Sequence, residues 1–306
     1  GLCVGVHTPL VSGATCVLLP KYLPALCART FRRLPIEFLP GVPTFFLKLI
    51  RSPEMAKADL SHLRGVFCGG DRLTPDAKHE IDAFLAAHGA KVAVRQGYGL
   101  TESASVITLS PEGAGGDDTI GLPLPNTQVR VVDPETLTDA EDGRAGELWL
   151  SGPTVMCGYL GDDALNAQTL IEENGVTWLR TGDLVRQDAD GFLHFEQRIK
   201  RLIVTSGYNV YPSAVETALR ETGLVEDAAV IGQPDDLRGQ SIVAFVVADR
   251  EKVTVAALAD DLALRVPRYA IPHRFLFVEQ LPLTVVGKIA YGRLEELARI
   301  DKTPRA

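Results

Sequence analysis

Three observations predict a mixed α/β fold followed by a smaller α+β domain. Strand and amphipathic-helix patterns alternate through the first third of the chain, the rhythm of a largely parallel sheet covered by helices. Around Pro111–Asp118 a Gly-rich loop opens a series of short strands separated by turn signals. From Lys200 onward helices and strands alternate again over roughly 100 residues, a plausible size for independent folding. The expected division is therefore 1–199 and 200–306, with the first part split into an α/β segment, 1–110, and a small antiparallel β-barrel or sheet, 111–199.

The elements follow in order. Ala14–Leu19 and Leu63–Cys68 are short apolar runs that read as buried strands. Thr74-Pro75 starts a helix, with an N-cap hydroxyl and a proline at the first helical position. That helix places Ala77, Ile81, Phe84 and Leu85 on one face and ends near His88-Gly89. Lys91–Val94 is the next expected strand. Strands at Gln128–Val132, Glu147–Leu150 and Phe192–Phe195 make up the antiparallel part, the last after a turn at Gly191. Beyond Lys200 the pattern gives a helix at Pro212–Arg220, strands at Ala228–Ile231 and Ile242–Ala248, a helix at Val255–Leu264 and a strand at Phe275–Val278.

Composition excludes several classes. A chain of 306 residues with 46% hydrophobic content can bury ordinary cores. The net charge of −8 argues against a general binder of nucleic acid or anionic membrane. No apolar run reaches the roughly 20 residues of a membrane helix. The first residues lack a basic n-region, so Gly1–Leu19 is not read as a signal peptide. Five cysteines without a CxxC pair, and six scattered histidines, give neither a disulfide framework nor a zinc site. Reduced cysteines and a cytoplasmic location are the expectation.

The chemistry lies in five short motifs. Gly97-Tyr98-Gly99-Leu100-Thr101-Glu102 combines two glycines, an aromatic face, a hydroxyl and a hard oxygen ligand suited to Mg²⁺. It is not a dinucleotide fingerprint, because Glu102 stands where the third glycine belongs and would repel a pyrophosphate. Gly146-Glu147-Leu148 leads to Gly158-Tyr159-Leu160, and Trp178-Leu179-Arg180-Thr181-Gly182-Asp183 follows, its last three residues reading alone as a plain turn. Arg198-Ile199-Lys200-Arg201 precedes Ser206-Gly207-Tyr208-Asn209-Val210-Tyr211-Pro212; alone, the charge run is a solvated basic edge. Pro282 to Gly287-Lys288 is no phosphate loop, since Pro282 replaces the first glycine and Ile289 the Ser or Thr. No G-x-S-x-G elbow supports serine hydrolase chemistry.

In this order the five motifs resemble the second half of the adenylate-forming enzymes: the acyl-CoA synthetases, luciferases and peptide-synthetase adenylation domains. The resemblance covers nearly the whole chain and is closest to the acyl-CoA synthetases and fatty-acid–CoA ligases. It implies ATP, Mg²⁺ and CoA, with a fatty or aryl carboxylic acid as substrate. Tyr98 would stack on adenine beside Gln96 and Gly97, with Gly69-Gly70-Asp71 as the second adenine-side loop. Thr101 would touch the α-phosphate and Glu102 would hold the metal. Asp183 would accept hydrogen bonds from the ribose diol, and Arg198, here after Gln197, would also reach the ribose. Lys200 falls at the hinge between two domain orientations, Ser206, Gly207 and Tyr208 at the pantetheine tunnel, and Lys288 at the catalytic lysine of nucleotidyl transfer. Val204 stands where luciferases carry a second lysine, against a light-emitting reaction. The small residues of the surviving pocket (Val42, Pro43, Cys68, Gly69, Gly97, Ser103) favour an elongated acyl or aryl tail.

The Ser/Thr/Gly-rich phosphate loop of such enzymes is absent from these residues. Compared with the family, the chain starts within the large domain and is expected to be inactive by itself, with apolar surface that favours self-association. Two alternatives stay open: loading of a carrier-protein phosphopantetheine, and a non-catalytic nucleotide-binding fragment.

Overall fold

The computed structural model describes residues 1–284 and 288–300. The chain divides into two compact units, Gly1–Phe195 and the residues from Glu196 on.

In the first unit nine strands form one hydrogen-bonded path and a tenth pairs beside it. β1 (Phe38–Gly41), β2 (Gly65–Cys68) and β3 (Val94–Gly99) are parallel. The helices Pro24–Arg33, Pro43–Ile50 and Pro75–Ala87 contribute to the core cluster beside them, through Ala28, Phe46, Leu49, Ile81 and Leu85. Each opens on proline, whose missing N–H costs nothing in a first helical turn. The Thr74 hydroxyl also accepts from Ala77 N at 3.3 Å, the cap that the sequence announces.

β3 is the turning point. One edge pairs in parallel with β2; the other pairs antiparallel with β4 (Val106–Leu109), which passes to β5 (Thr119–Pro123). β6 (Gln128–Val132), β7 (Ala145–Ser151), β8 (Leu170–Glu173), β9 (Val176–Gln187) and β10 (Leu193–Arg198) complete the path in the order β5-β10-β9-β7-β6, with β8 beside β9. Ile107 of β4, Ile120 of β5, Leu148 and Leu150 of β7, Leu179 and Val185 of β9 and Leu193 of β10 form a second core.

The second unit has β11 (Ile203–Thr205), β12 (Tyr208–Val210), β13 (Asp227–Asp235), β14 (Gly239–Val247) and β15 (Arg274–Phe277) in one sheet. Period-2 alternation sorts its faces. Ala228, Val230, Ile242 and Ala244 pack with helices Pro212–Glu221 and Val255–Leu262 through Val215, Leu219, Leu258 and Leu262. Ala229, Ile231, Val243 and Phe245 pack on the other face with Leu294 and Ala298 of helix Tyr291–Ile300.

Three expectations about elements change. Ala14–Leu19 forms no strand: Val17 and Leu18 are exposed, and a short apolar run alone does not say what it pairs with. The expected strand at Lys91–Val94 begins only at Val94 and runs on to Gly99, so Gly97-Tyr98-Gly99 is strand. Thr181-Gly182-Asp183 is likewise no turn between elements but lies inside the twelve-residue β9.

Candidate active site

Thr181-Gly182-Asp183 forms a bulge. Glu147 pairs with Leu184 and Trp149 with Arg180, so three residues of β9 stand opposite the single Leu148 of β7. Gly182 takes φ +68°, a left-handed conformation that glycine adopts without strain. The freed backbone groups find side-chain partners. Gly182 N donates to Glu147 Oε1 at 3.0 Å, and Asp183 N to Thr181 Oγ1 at 3.1 Å. Thr181 Oγ1 in turn donates to Leu148 O at 2.7 Å.

Glu147, 2% exposed, anchors this region. Its Oε2 also accepts from Trp149 Nε1 at 3.1 Å and from Arg180 Nε and Nη2 at 3.0 and 2.7 Å. The Arg180 guanidinium lies 5.5 Å from the Trp149 ring centroid. A buried carboxylate needs this density of donors. The sequence reading missed its role; the signal was a charge set directly before the apolar run Leu148-Trp149-Leu150.

The bulge delivers Asp183 to Tyr98. Asp183, 1% exposed, accepts from the Tyr98 hydroxyl through Oδ2 at 2.6 Å, and the Phe195 ring lies 6.4 Å from that of Tyr98. Two residues 85 positions apart in sequence thus meet at the C-terminal end of β3.

Glycines set the approach of the neighbouring segments. A Cβ on Gly69, just after β2, would meet Gly97 O at 2.8 Å, and one on Gly99 would meet Ser105 O at 1.9 Å. The glycines of Gly97-Tyr98-Gly99 therefore serve strand packing as well as any ligand. Gly70 has φ +78°, and Asp71 is exposed, its Oδ1 accepting from Arg72 N at 2.9 Å. Gln96 is buried, its Oε1 without a hydrogen-bond partner among the described residues, and it lines a cavity of about 120 Å³ with Lys78, Ser110 and Gly113–Asp117.

Thr101-Glu102-Ser103 forms a 3₁₀ turn after β3, closed by Ala104 in a left-handed conformation at φ 62°. Thr101 is exposed. Glu102 Oε1 accepts from the Tyr159 hydroxyl at 2.8 Å, joining two of the sequence motifs. Burial, and then the Glu102 carboxylate, push the Tyr159 phenol above its ordinary range. Among the described residues no group of three or more His, Cys, Asp or Glu side chains could hold a metal ion.

The second unit carries the remaining candidates. Arg198 is exposed, and Lys200 is exposed in the 3₁₀ turn Ile199–Arg201. Ser206-Gly207 is the two-residue turn between β11 and β12, with Thr205 opposite Tyr208 and φ values of 51° and 81°. Ser206 N donates to Arg238 O at 2.8 Å. The Tyr208 ring stacks on that of Tyr269 at 4.4 Å with an 8° interplanar angle. Lys288 is exposed; its N donates to Thr284 Oγ1 at 3.1 Å, and its carbonyl accepts from Thr284 N at 2.7 Å. Gly287, the partner of Lys288 in its motif, lies outside the described residues.

A model of the AMP-binding enzyme matches residues 1–160, and one of the AMP-binding enzyme C-terminal domain matches residues 214–288. The chain belongs to the AMP-binding enzyme family. Among curated members of this family, the chain is 35% identical over 300 residues to a probable CoA ligase of Humulus lupulus, covering 94% of this chain and 52% of that protein. It is 32% identical over 303 residues to a long-chain-fatty-acid–CoA ligase of Bacillus subtilis, covering 97% and 52%. Of the solved structures, ATP-bound MatB from Rhodopseudomonas palustris superposes with a TM-score of 0.87 at 29% identity, over 98% of this chain and 58% of that one. The chain spans about half the length of the curated relatives it matches. The fold is that of the adenylate-forming enzymes.

Proposed function

We propose that the protein is the nucleotide-binding and C-terminal part of an ATP-dependent carboxylic acid–CoA ligase. In the first half-reaction the acid carboxylate attacks the α-phosphorus of ATP and pyrophosphate leaves. In the second, the CoA thiol attacks the acyl carbon of the resulting acyl-adenylate and loses its proton, and AMP leaves that carbon as the thioester forms. The observation that carries this reading is the Tyr98–Asp183 contact at the end of β3, beside the glycine-to-glycine approach of Gly69 and Gly97. An aromatic face, an acceptor-only carboxylate and bare backbone then share one locality, as recognition of a nucleoside requires.

The residues fit the groups they would hold. A carboxylate offers about four lone-pair sites, so Asp183 keeps capacity for a ribose diol while accepting from Tyr98. Arg198 would assist it. Gln96 would offer its unpartnered buried carbonyl oxygen beside the base. Mg²⁺ is usually held by one or two carboxylates together with substrate phosphates, so Glu102 alone is an adequate protein ligand. When bound, the ion would neutralise charge on the departing phosphates. Thr101 and Lys288 would donate to the α-phosphate, and Lys200 would be the pivot that withdraws Lys288 between the half-reactions. The open space beside Gly207, where a Cβ would meet nothing within 4 Å, suits the thin pantetheine arm, with Ser206 and Tyr208 flanking it. Fatty and aryl acids are the substrate class, favoured by the small residues Gly69, Gly97 and Ser103.

A pyrophosphate-release panel of carboxylic acids on the complete gene product tests this. Acid-dependent pyrophosphate release, with AMP release that depends on free CoA, is the expected result. Release that requires a carrier-protein thiol would change the acceptor. No acid-dependent release with any class of acid would overturn the proposal.

A further inference from the structure

A buried carboxylate in the second unit gathers three donors on one oxygen. Glu216, on helix Pro212–Glu221, is 5% exposed. Its Oε1 accepts from Arg201 Nη2 at 2.6 Å, from Val230 N at 2.9 Å and from the Tyr291 hydroxyl at 3.3 Å. The Arg201 guanidinium also lies 3.8 Å from the centroid of the Tyr291 ring. Burial, followed by the Glu216 charge, pushes the Tyr291 phenol well up.

The positions of these residues matter more than their strength. Arg201 is the last residue of the turn that holds Lys200. Tyr291 is the first residue of helix Tyr291–Ile300, next to the loop that presents Lys288. That loop is tied at its base, where Ala290 N donates to Pro282 O at 2.8 Å and Leu283 bridges Ile289. A loop closed in this way takes its orientation from the residues that hold its ends. A cleft of about 90 Å³ lined by Lys200, Arg201, Tyr291 and Glu295 lies beside the contact. The hinge turn and the helix are thus not packed solid against each other, and the Arg201–Tyr291 contact spans them.

We propose that Arg201 is a positioning residue which, through Tyr291 and Glu216, fixes the Lys288 loop relative to the hinge turn. The inference rests on the roles proposed above for Lys200 and Lys288. Arg201 touches no substrate; it transmits the setting of the turn to the loop. A guanidinium is suited to this, because its planar face lies on the ring while its edge binds the carboxylate.

The test is Arg201→Ala in the complete gene product, with Tyr291→Phe as a milder variant that keeps the ring and loses one hydrogen bond. Misplacing a catalytic group by about 1 Å can cost roughly 10²-fold. Adenylation kcat should therefore fall by roughly 10- to 100-fold in Arg201→Ala, with a smaller loss in Tyr291→Phe. The KM for ATP, and thioester formation from supplied acyl-adenylate, should stay near wild type. Amide hydrogen exchange at Thr284 and Lys288 should accelerate, because both N–H groups are bonded within the loop. Equal loss in both half-reactions, or unchanged exchange at Thr284 and Lys288, would overturn the proposal. If the wild-type protein performs no adenylation, the ligase reading fails, and the exchange measurement still decides the coupling.

Discussion

The Tyr98 hydroxyl donates to Asp183 Oδ2 at 2.6 Å, joining the end of β3 to a bulge in β9. The contact holds the phenol ring and the carboxylate at a fixed separation. Removing the hydroxyl with Tyr98→Phe should lower stability by about 1.5–3 kcal/mol, as for hydrogen bonds to charged groups. The ring face survives, so AMP affinity measured by calorimetry should fall only modestly. Asp183→Ala should abolish measurable AMP binding. Equal effects of the two substitutions would show that the carboxylate matters only through its bond to the ring.

Glu147 gives a sharper stability prediction. Glu147→Ala strips the buried partner from Arg180 and leaves Trp149 Nε1 and Gly182 N without their acceptor. Breaking a buried pair from one side typically costs about 3–5 kcal/mol. The denaturant midpoint should fall accordingly, and AMP binding with it, because the bulge that presents Asp183 loses its support. A stable variant with normal AMP affinity would show that the backbone alone holds the bulge.

Lys288→Ala concerns chemistry, not folding, since its side chain is exposed. In a preparation that forms acyl-adenylate, that step should slow by about 10²–10³-fold, the usual loss for one electrostatic donor. Thioester formation from supplied acyl-adenylate should survive. Rapid-quench measurement of each half-reaction separates the two, and equal loss would assign Lys288 to both.

Cys68 supplies a pH prediction. Burial, aided by the Asp71 charge, pushes its thiol from the ordinary 9.0 up to about 12. The folded value lies above the unfolded one, so the thiol is neutral in both states below pH 9. Between about 9 and 12 only the unfolded chain sheds the proton, and stability drains as pH rises through that window. Native-state alkylation at pH 9 should modify exposed Cys157 and spare Cys68. Early modification of Cys68 would mean that β2 opens locally.

What the sequence disclosed, and what it withheld, follows from the range of the interactions. Helix Pro75–Ala87 was legible because its cap, its proline and its apolar face are all local. The strand Gln128–Val132 was legible from its alternation, and Ala228–Ile231, the centre of strand Asp227–Asp235, from a short apolar run that is buried on both faces. Thr181-Gly182-Asp183 reads alone as a turn because a bulge and a turn call on the same residue chemistry; only the opposing Leu148 distinguishes them. Helices Pro24–Arg33 and Pro43–Ile50 passed unnoticed although each opens on proline. Among the site candidates, Tyr98 and Asp183 were chosen by motif, but their hydrogen bond was invisible, since it depends on the pairing of strands far apart in the chain. The Glu102–Tyr159 bond was hidden for the same reason.

Gly207 carries a stereochemical consequence. A Cβ there would meet nothing within 4 Å, so the position does not demand smallness; it demands a backbone at φ +81°. That conformation is the natural one for the mirror-image series of amino acids. D-alanine, introduced by chemical ligation, should seat without strain where L-alanine would not. The two epimers share one volume and differ only in handedness, so comparing them separates a glycine kept for the turn from one kept for the passage of a thiol arm.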